Sequence, residues 1–305
     1  MPKASGISLI GPKSFLFKSS WGFGKTLAAA SFALDGPVYL AYFDKKSPDE
    51  LVTFFRRFGA KGQQILENIE FDVYGSHNCN EYLNKVIKMR EDCRYIAFIT
   101  DSVTMLTSAA VNWSLGFDGK KKLNAVTHKD PSTLLPDWDE YKTETSIVSQ
   151  VLDICRTLPC HIIWTAHPIP GTKIEGSGAS MKVTKVNPIV TYGSKVAGLV
   201  PGQFTEIYQF SKATDYSVQP TRIKYLVSTE AIGDDYAKTA LGLPRELDIT
   251  DKLFYEVWRD AVLKVSNPTR EVNNEVATSG GQVFDASQLK PKTESIEDKP
   301  KPWLK

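Results

Sequence analysis

SSWGFGKTLAAA, residues 19–30, is the stretch on which the reading of the whole chain turns. Its centre, Gly22-Phe23-Gly24-Lys25-Thr26, matches the end of the phosphate-loop pattern Gly-x-x-x-x-Gly-Lys-Ser/Thr, with Ser19 where that pattern has its first glycine. Glycines let the backbone curl through φ > 0, so that successive N–H groups converge on one anion. Lys25 is spaced to reach the terminal phosphates, and the Thr26 hydroxyl to hold Mg²⁺. An apolar run at 15–17 precedes the loop and an alanine-rich helix at 26–34 follows, pointing its positive end at the anion. The candidate nucleotide-binding residues are therefore Ser20, Trp21, Gly22, Phe23, Gly24, Lys25, Thr26 and Leu27.

Outward from the loop, apolar strands alternate with amphipathic helices. Strands are expected at 38–43, 69–74, 95–99 and 161–166, with helices at 49–58, 81–89 and 139–158. Near-continuous apolar strands separated by helices predict a mainly parallel sheet covered on both faces, an α/β fold. Residues 168–187, rich in Gly, Ser, Thr and Lys, read as a long loop. A strand pair at 205–210 and 221–227 and a helix at 253–265 follow. From 267 the chain turns polar and proline-rich, which predicts one folded domain, 1–266, and a disordered tail, 267–305.

The 37 basic and 35 acidic residues leave a net charge of only +2, so no global basic signature marks a nucleic-acid binder. No apolar run approaches the roughly 18 to 20 residues that cross a bilayer, and no secretory signal is visible. Cys79, Cys93, Cys155 and Cys160 form no CxxC pair or zinc spacing, which reads as scattered reduced thiols in a cytoplasmic protein.

A second element agrees with the loop. Asp101 closes the strand 95–99 through Thr100 and is followed by Ser102. An acid at the carboxyl end of a strand is suited to anchoring the Mg²⁺ of a phosphate-loop nucleotide through water. With Asp101-Ser102, the segments Asp137-Trp138-Asp139-Glu140-Tyr141, 158–167, Gly198-Leu199-Val200-Pro201-Gly202 and 237–244 give the layout of one branch of the phosphate-loop superfamily. Over residues 6–262 the chain resembles the phage-encoded RecA-like AAA-domain ATPases associated with single-strand annealing and recombination. The loop and the Asp-Ser motif are specific for the superfamily, and the other segments suggest the branch.

The resemblance implies a RecA-like core that binds ATP with Mg²⁺, acts on single-stranded DNA and assembles into rings or filaments. It implies replication or recombination proteins as partners, in a host cytoplasm. By position it makes His167 the polar group that senses the γ-phosphate, beside Lys25 and Asp101 in the catalytic set. Three positions depart from the family pattern. Ser19 replaces glycine. Lys46 stands near the expected water-activating glutamate, leaving Asp44, then Asp49 or Glu50, as the acceptor of the water's proton. Ala240 replaces an arginine, leaving Lys238 as the nearest cation.

Two basic segments are candidates for gripping DNA: an insertion at 103–136 with Lys120, Lys121 and Lys122, and the loop with Lys173, Lys182 and Lys185. Trp113 and Phe117 lie near the first, and Trp113 reads equally as core. The tail ends in Pro302-Trp303-Leu304-Lys305, an apolar tip of the kind that docks on a partner. The leading expectation is an ATPase acting on single-stranded DNA. The alternative is a nucleotide-dependent switch or assembly protein with weak hydrolysis and a protein partner, which Lys46 and Ala240 favour.

Overall fold

Ten strands and eight helices run along the residues described by the computed structural model, which are 9, 11–44, 47–117, 136, 138–169, 171–175, 182–186, 188–231 and 237–266. The strands are β1 (Ser14–Lys18), β2 (Val38–Tyr42), β3 (Ile69–Val73), β4 (Ala97–Asp101), β5 (His161–Ala166), β6 (Gly171–Glu175), β7 (Lys182–Val186), β8 (Glu206–Asp215), β9 (Arg222–Ser228) and β10 (Glu246–Asp248). The helices are α1 (Lys25–Ala30), α2 (Asp49–Phe55), α3 (Gly59–Glu67), α4 (Cys79–Met89), α5 (Val103–Phe117), α6 (Trp138–Cys155), α7 (Ser194–Leu199) and α8 (Phe254–Ser266). All of them fall within Met1–Ser266; residues 267–305, the expected tail, lie outside the described residues.

Eight strands form one sheet in the order β10-β9-β8-β1-β5-β4-β2-β3. From β8 to β3 every neighbour is parallel, and β9 and β10 add antiparallel to one end. The parallel centre is buried on both faces, and its residues alternate between the two. Phe15 and Phe17 of β1 pack with α1, α2, α3 and α8, while Leu16 packs with α4, α5, α6 and α7. Each fully buried aromatic or aliphatic side chain of this kind contributes about 2 kcal/mol. β3, at the edge, reads IEFDV and exposes its middle, so charged residues occupy the strand that has a free edge.

The chain enters the sheet at β1, passes over β5 and β4 to β2, and returns through β4 and β5. Connections therefore leave the carboxyl ends of β1 and β5 on opposite sides, the crevice in which open α/β sheets bind ligands.

Two expectations are corrected. Residues 103–117 are not part of an insertion but form α5, because VTMLTSAAVNWSLGF carries enough apolar surface to cover β4 and α6. Ser102 caps its start, its Oγ accepting from the Met105 N–H at 3.4 Å. Trp113 accordingly packs against the core cluster. Residues 168–187 are not a simple loop: β6 and β7 pair antiparallel, Gly171 opposite Val186 and Glu175 opposite Lys182. Their β-branched residues, Thr172, Ile174, Val183, Thr184 and Val186, suit a hairpin better than the Gly and Ser count suggested. The helices α3 and α7 and the strand β10 were not anticipated. Lys120, Lys121 and Lys122 lie outside the described residues, as does Lys46. All four cysteines are free thiols. Among the described residues no helix is long and apolar enough to cross a membrane.

Candidate functional site

Four adjacent parallel strands deliver their carboxyl ends to one place. β1 supplies the glycine loop, β5 supplies Thr165 and His167, β4 supplies Asp101 and Ser102, and β2 supplies Asp44. The loop turns through Gly22 at φ 73° and Gly24 at φ 88°, left-handed conformations that a side chain would strain. Gly24 is the residue before α1, and the Ala28 N–H bonds back to its carbonyl at 2.9 Å.

Lys25 is buried and folded back on its own loop. Its Nζ donates to the carbonyls of Ser19 at 2.8 Å and Ser20 at 3.1 Å, and approaches Ser19 Oγ and His167 Nδ1 at 3.2 Å each. Burial pushes its pKa down to about 8, against the upward pull of Asp101 and Asp44. Ser19, at the position of the missing glycine, is therefore part of the lysine's cradle through both its carbonyl and its hydroxyl.

Asp101 is fully buried, and both its oxygens accept hydroxyl protons. Thr26 Oγ1 donates to Oδ2 at 2.6 Å, and Thr165 Oγ1 donates to Oδ1. Burial, with the Asp44 charge beside it, pushes the carboxyl up to about 6, while the two threonines pull it down. Asp44 accepts from Ser102 Oγ at 2.7 Å. Burial works to raise it, but the contacts from His167 and Ser102 and the nearby Lys25 charge hold it below the ordinary carboxylate range. The backbone joins the two acids, since the Phe43 N–H donates to the Asp101 carbonyl at 2.6 Å.

His167 sits between the lysine and Asp44. With Lys25 donating to Nδ1, the ring proton belongs on Nε2. Nε2 has no hydrogen-bond partner, and its nearest acid oxygen, Asp44 Oδ2, is 3.5 Å away, an approach rather than a formed bond. The exposed Trp21 ring stacks on the imidazole at 4.9 Å between centroids. On the protein side the His167 N–H donates to Thr104 Oγ1 at 3.2 Å, and its carbonyl accepts from the Val190 N–H at 2.7 Å.

A divalent cation fits the Thr26–Asp101 pair. Both are hard oxygen donors, and burial together with the Asp44 charge raises Asp101, a penalty on its charged form that added positive charge would relieve. Among the described residues no three acidic, His or Cys side chains converge on one point. Mg²⁺ needs no such cage, because it takes one or two protein oxygens and fills the rest with phosphate and water.

The remaining candidates divide. Leu27 packs into the apolar cluster around α1. Asp49 accepts from Ser47 Oγ at 2.6 Å and Glu50 from the Tyr42 hydroxyl at 2.8 Å. Lys238 and Ala240 lie by the amino end of β8, away from the carboxyl ends that form the site: Lys238 bridges Ile207 at the start of β8, and Glu206 holds Thr239 and the Ala240 N–H. Lys173 lies on β6, and Lys182 and Lys185 on β7, a hairpin whose base, Pro168 to Ile189, adjoins His167.

Sequence reasoning missed Thr165 and a groove. Thr165 is a lone polar residue in the apolar run HIIWTA, directly before the strand end, and that interruption was the available signal. The groove, of about 830 Å³, is lined by Trp138, Tyr141, Lys142, Tyr192, Gly193 and Lys195 among others. Its wall is pinned by Glu144, a buried acid whose Oε1 accepts from the Gly193 N–H at 3.0 Å. No family model matches the chain, and no curated protein matches it.

Proposed function

We propose that the chain is a RecA-like ATPase that binds ATP with Mg²⁺ and acts on single-stranded DNA in recombination or replication. The observation that carries the nucleotide half is the convergence of Lys25, Thr26, Asp101, Asp44 and His167 at the carboxyl ends of four neighbouring strands. A hydrolytic phosphate site needs those parts: a cation for the terminal phosphates, a hydroxyl and an acid for the metal, and a carboxylate for the water.

The residues work as follows. Lys25 leaves the Ser19 and Ser20 carbonyls for the β- and γ-phosphates, so its present bonds hold the ammonium ready without a counter-charge. Thr26 and Asp101 would hold Mg²⁺, which supplies charge neutralisation as the β–γ bond breaks. Asp44 takes a proton from the attacking water as its oxygen bonds to the γ-phosphorus and ADP departs. His167, touching both Lys25 and Asp44, responds to whatever replaces the lysine's bond to it.

For the DNA half, the support is the groove. Trp138, Tyr141 and Tyr192 offer ring faces, and Lys195 offers charge beside Lys142, which pairs with Asp139 at 3.1 Å, the combination on which single strands stack without sequence preference. The Val190 bond to His167 lies two residues from Tyr192, so the groove wall and the phosphate sensor share one short backbone segment.

A second reading, a nucleotide-dependent switch with weak hydrolysis, is favoured by Asp44 itself. A carboxylate held below its ordinary pKa is a weak base. ATP affinity and turnover, with and without an oligonucleotide, separate these readings. Lys25→Ala is expected to lower ATP affinity at least about a hundredfold, since it removes the charge that meets two phosphates; unchanged affinity overturns the site. Turnover that oligonucleotide stimulates favours the first reading. A stable ATP complex indifferent to DNA favours the second.

A further inference from the structure

On the flank of β1 away from the acids lies a lysine that the site described above does not use. β1 pairs with β8 in parallel, Lys18 opposite Gln209. Three residues further on, Lys212 reaches the phosphate loop. Its ammonium sits 5.0 Å from the Phe23 ring centroid and 5.2 Å from that of Tyr225, its directly opposite partner on β9. A Cβ built on Gly22 would stand 4.0 Å from Nζ, so the charge lies against the loop backbone itself.

The other cations of this hairpin have acids: Lys224 pairs with Asp215 at 2.9 Å and Arg222 with Asp251 at 3.8 Å. Lys212 has ring faces instead, and no carboxylate among the described residues pairs with it. An exposed cation–π contact is worth only about 0.5 to 1 kcal/mol each, and aromatic faces do not neutralise the charge. They do hold a flexible side chain in one place while leaving its charge free for an anion.

The direction of a bound nucleotide decides which anion. Asp101, Asp44 and His167 follow β4, β2 and β5, all on the side of the loop away from β8, so the terminal phosphate and its cation belong there. The other end of the phosphate chain, and the nucleoside beyond it, then run toward β8. We propose that Lys212 is a second phosphate-binding cation of this site, steadied by Phe23 and Tyr225, which meets the α-phosphate of a nucleoside di- or triphosphate. The inference rests on the nucleotide reading given above and adds the residue that fixes the ligand's orientation in the loop.

Titration calorimetry on the full chain with Mg-ATP and with ADP tests it, using Lys212→Ala, Lys212→Arg and Lys25→Ala. Because both ligands carry the α-phosphate, Lys212→Ala is expected to weaken both equally, by about tenfold for one charge-assisted contact. Lys212→Arg is expected to restore most of that loss, which a merely steric role for the side chain would not do. If Lys25→Ala loses binding while Lys212→Ala stays within twofold of the parent, the nucleotide site stands and the role of Lys212 falls. A loss confined to ATP would put Lys212 at the γ-phosphate and overturn the orientation. A loss that arginine does not rescue, accompanied by a lower melting temperature, would make Lys212 a hairpin-packing residue and overturn the inference. Unchanged binding in Lys25→Ala would remove the nucleotide site itself.

Discussion

Around Lys25 nearly every polar atom is engaged by another polar atom of the chain, whereas the groove between Trp138 and Tyr192 leaves its rings in solvent. Lys25, Asp101 and His167 are at most 5% exposed, while Trp138 is 69% and Tyr192 45% exposed. The first region is dry and fixed by threonine and serine hydroxyls; the second is open, with Lys142 and Lys195 among its lining residues. On the proposed reading the difference matches the two ligands. A phosphate chain and a metal ion need preorganised charge in a low-dielectric setting, where reorganisation costs most. A single strand needs faces to stack on, and those gain their energy only when the ligand covers them.

The sharpest way to break this contrast is Asp101→Asn. The amide can accept only one of the two threonine hydroxyls, and it removes the charge facing Thr26. On the proposed reading Mg²⁺ affinity, measured through metal-dependent ATP binding, falls about a hundredfold. An unchanged metal dependence would make the dry cluster a structural network rather than a metal site. Trp138→Ala tests the open region. One stacking ring is worth about 2 kcal/mol, so oligonucleotide affinity is expected to fall roughly thirtyfold while ATP affinity stays put. Equal loss of both would show that the two regions are one site.

Protonation sharpens the contrast further, because Lys25 is buried and the groove lysines are not. Its ammonium is held to a pKa of about 8 against an ordinary 10.5. The folded chain therefore loses that proton before the unfolded chain does. Between pH 8 and 10.5 the unfolded state binds more protons through this group, so its contribution to folding stability rises with pH. Nucleotide affinity must run the other way, since the phosphates need the charged form. From pH 8 to 9 ATP affinity is expected to fall about fivefold, because the charged fraction drops from about one half to about one tenth across a pKa of about 8. Calorimetry across that range checks the sign, and flat affinity would mean that Lys25 keeps its charge or never meets phosphate.

These two regions were unequally legible in the sequence. The loop was readable because its conformation depends on local backbone: two glycines with positive φ, then Lys25 and Thr26, in seven consecutive residues from Ser20. Asp101 was readable because a strand end has a local signature. Strand order was not, since the insertion of β5 between β1 and β4 depends on which faces α1 and α6 cover. That insertion is what brings Thr165 and His167 beside Asp101. The groove was less visible still: Trp138 and Tyr192 are far apart in the chain and line one groove, where Glu144 on α6 holds Gly193 and Thr107 on α5 holds Tyr192. Residues 103–117 misled because their apolar face is completed by elements distant in sequence, β4, β5, α4 and α6. Lys212 carries no local signal; its place depends on the register of β8 against β1.

The smallest expected effect joins the two regions. The Val190 N–H donates to the His167 carbonyl at 2.7 Å, and the Tyr192 N–H two residues on donates to Thr107 Oγ1 at 3.2 Å. A change at His167 on phosphate binding therefore has a direct backbone route to the groove wall. Val190→Pro removes that donor. The preceding Ile189 already bridges Pro168 in extended backbone, the conformation a following proline requires. ATP affinity and oligonucleotide affinity measured separately are expected to stay within twofold of the parent. What should fall, by about fivefold, is the ratio of oligonucleotide affinities with and without ATP, the low end of ordinary coupling between sites. If the ratio survives, the nucleotide state reaches the groove by another path, with the β6–β7 hairpin beside His167 as the next element to test. If ATP affinity falls as well, the bond serves the phosphate loop itself, and the dry region extends as far as Val190.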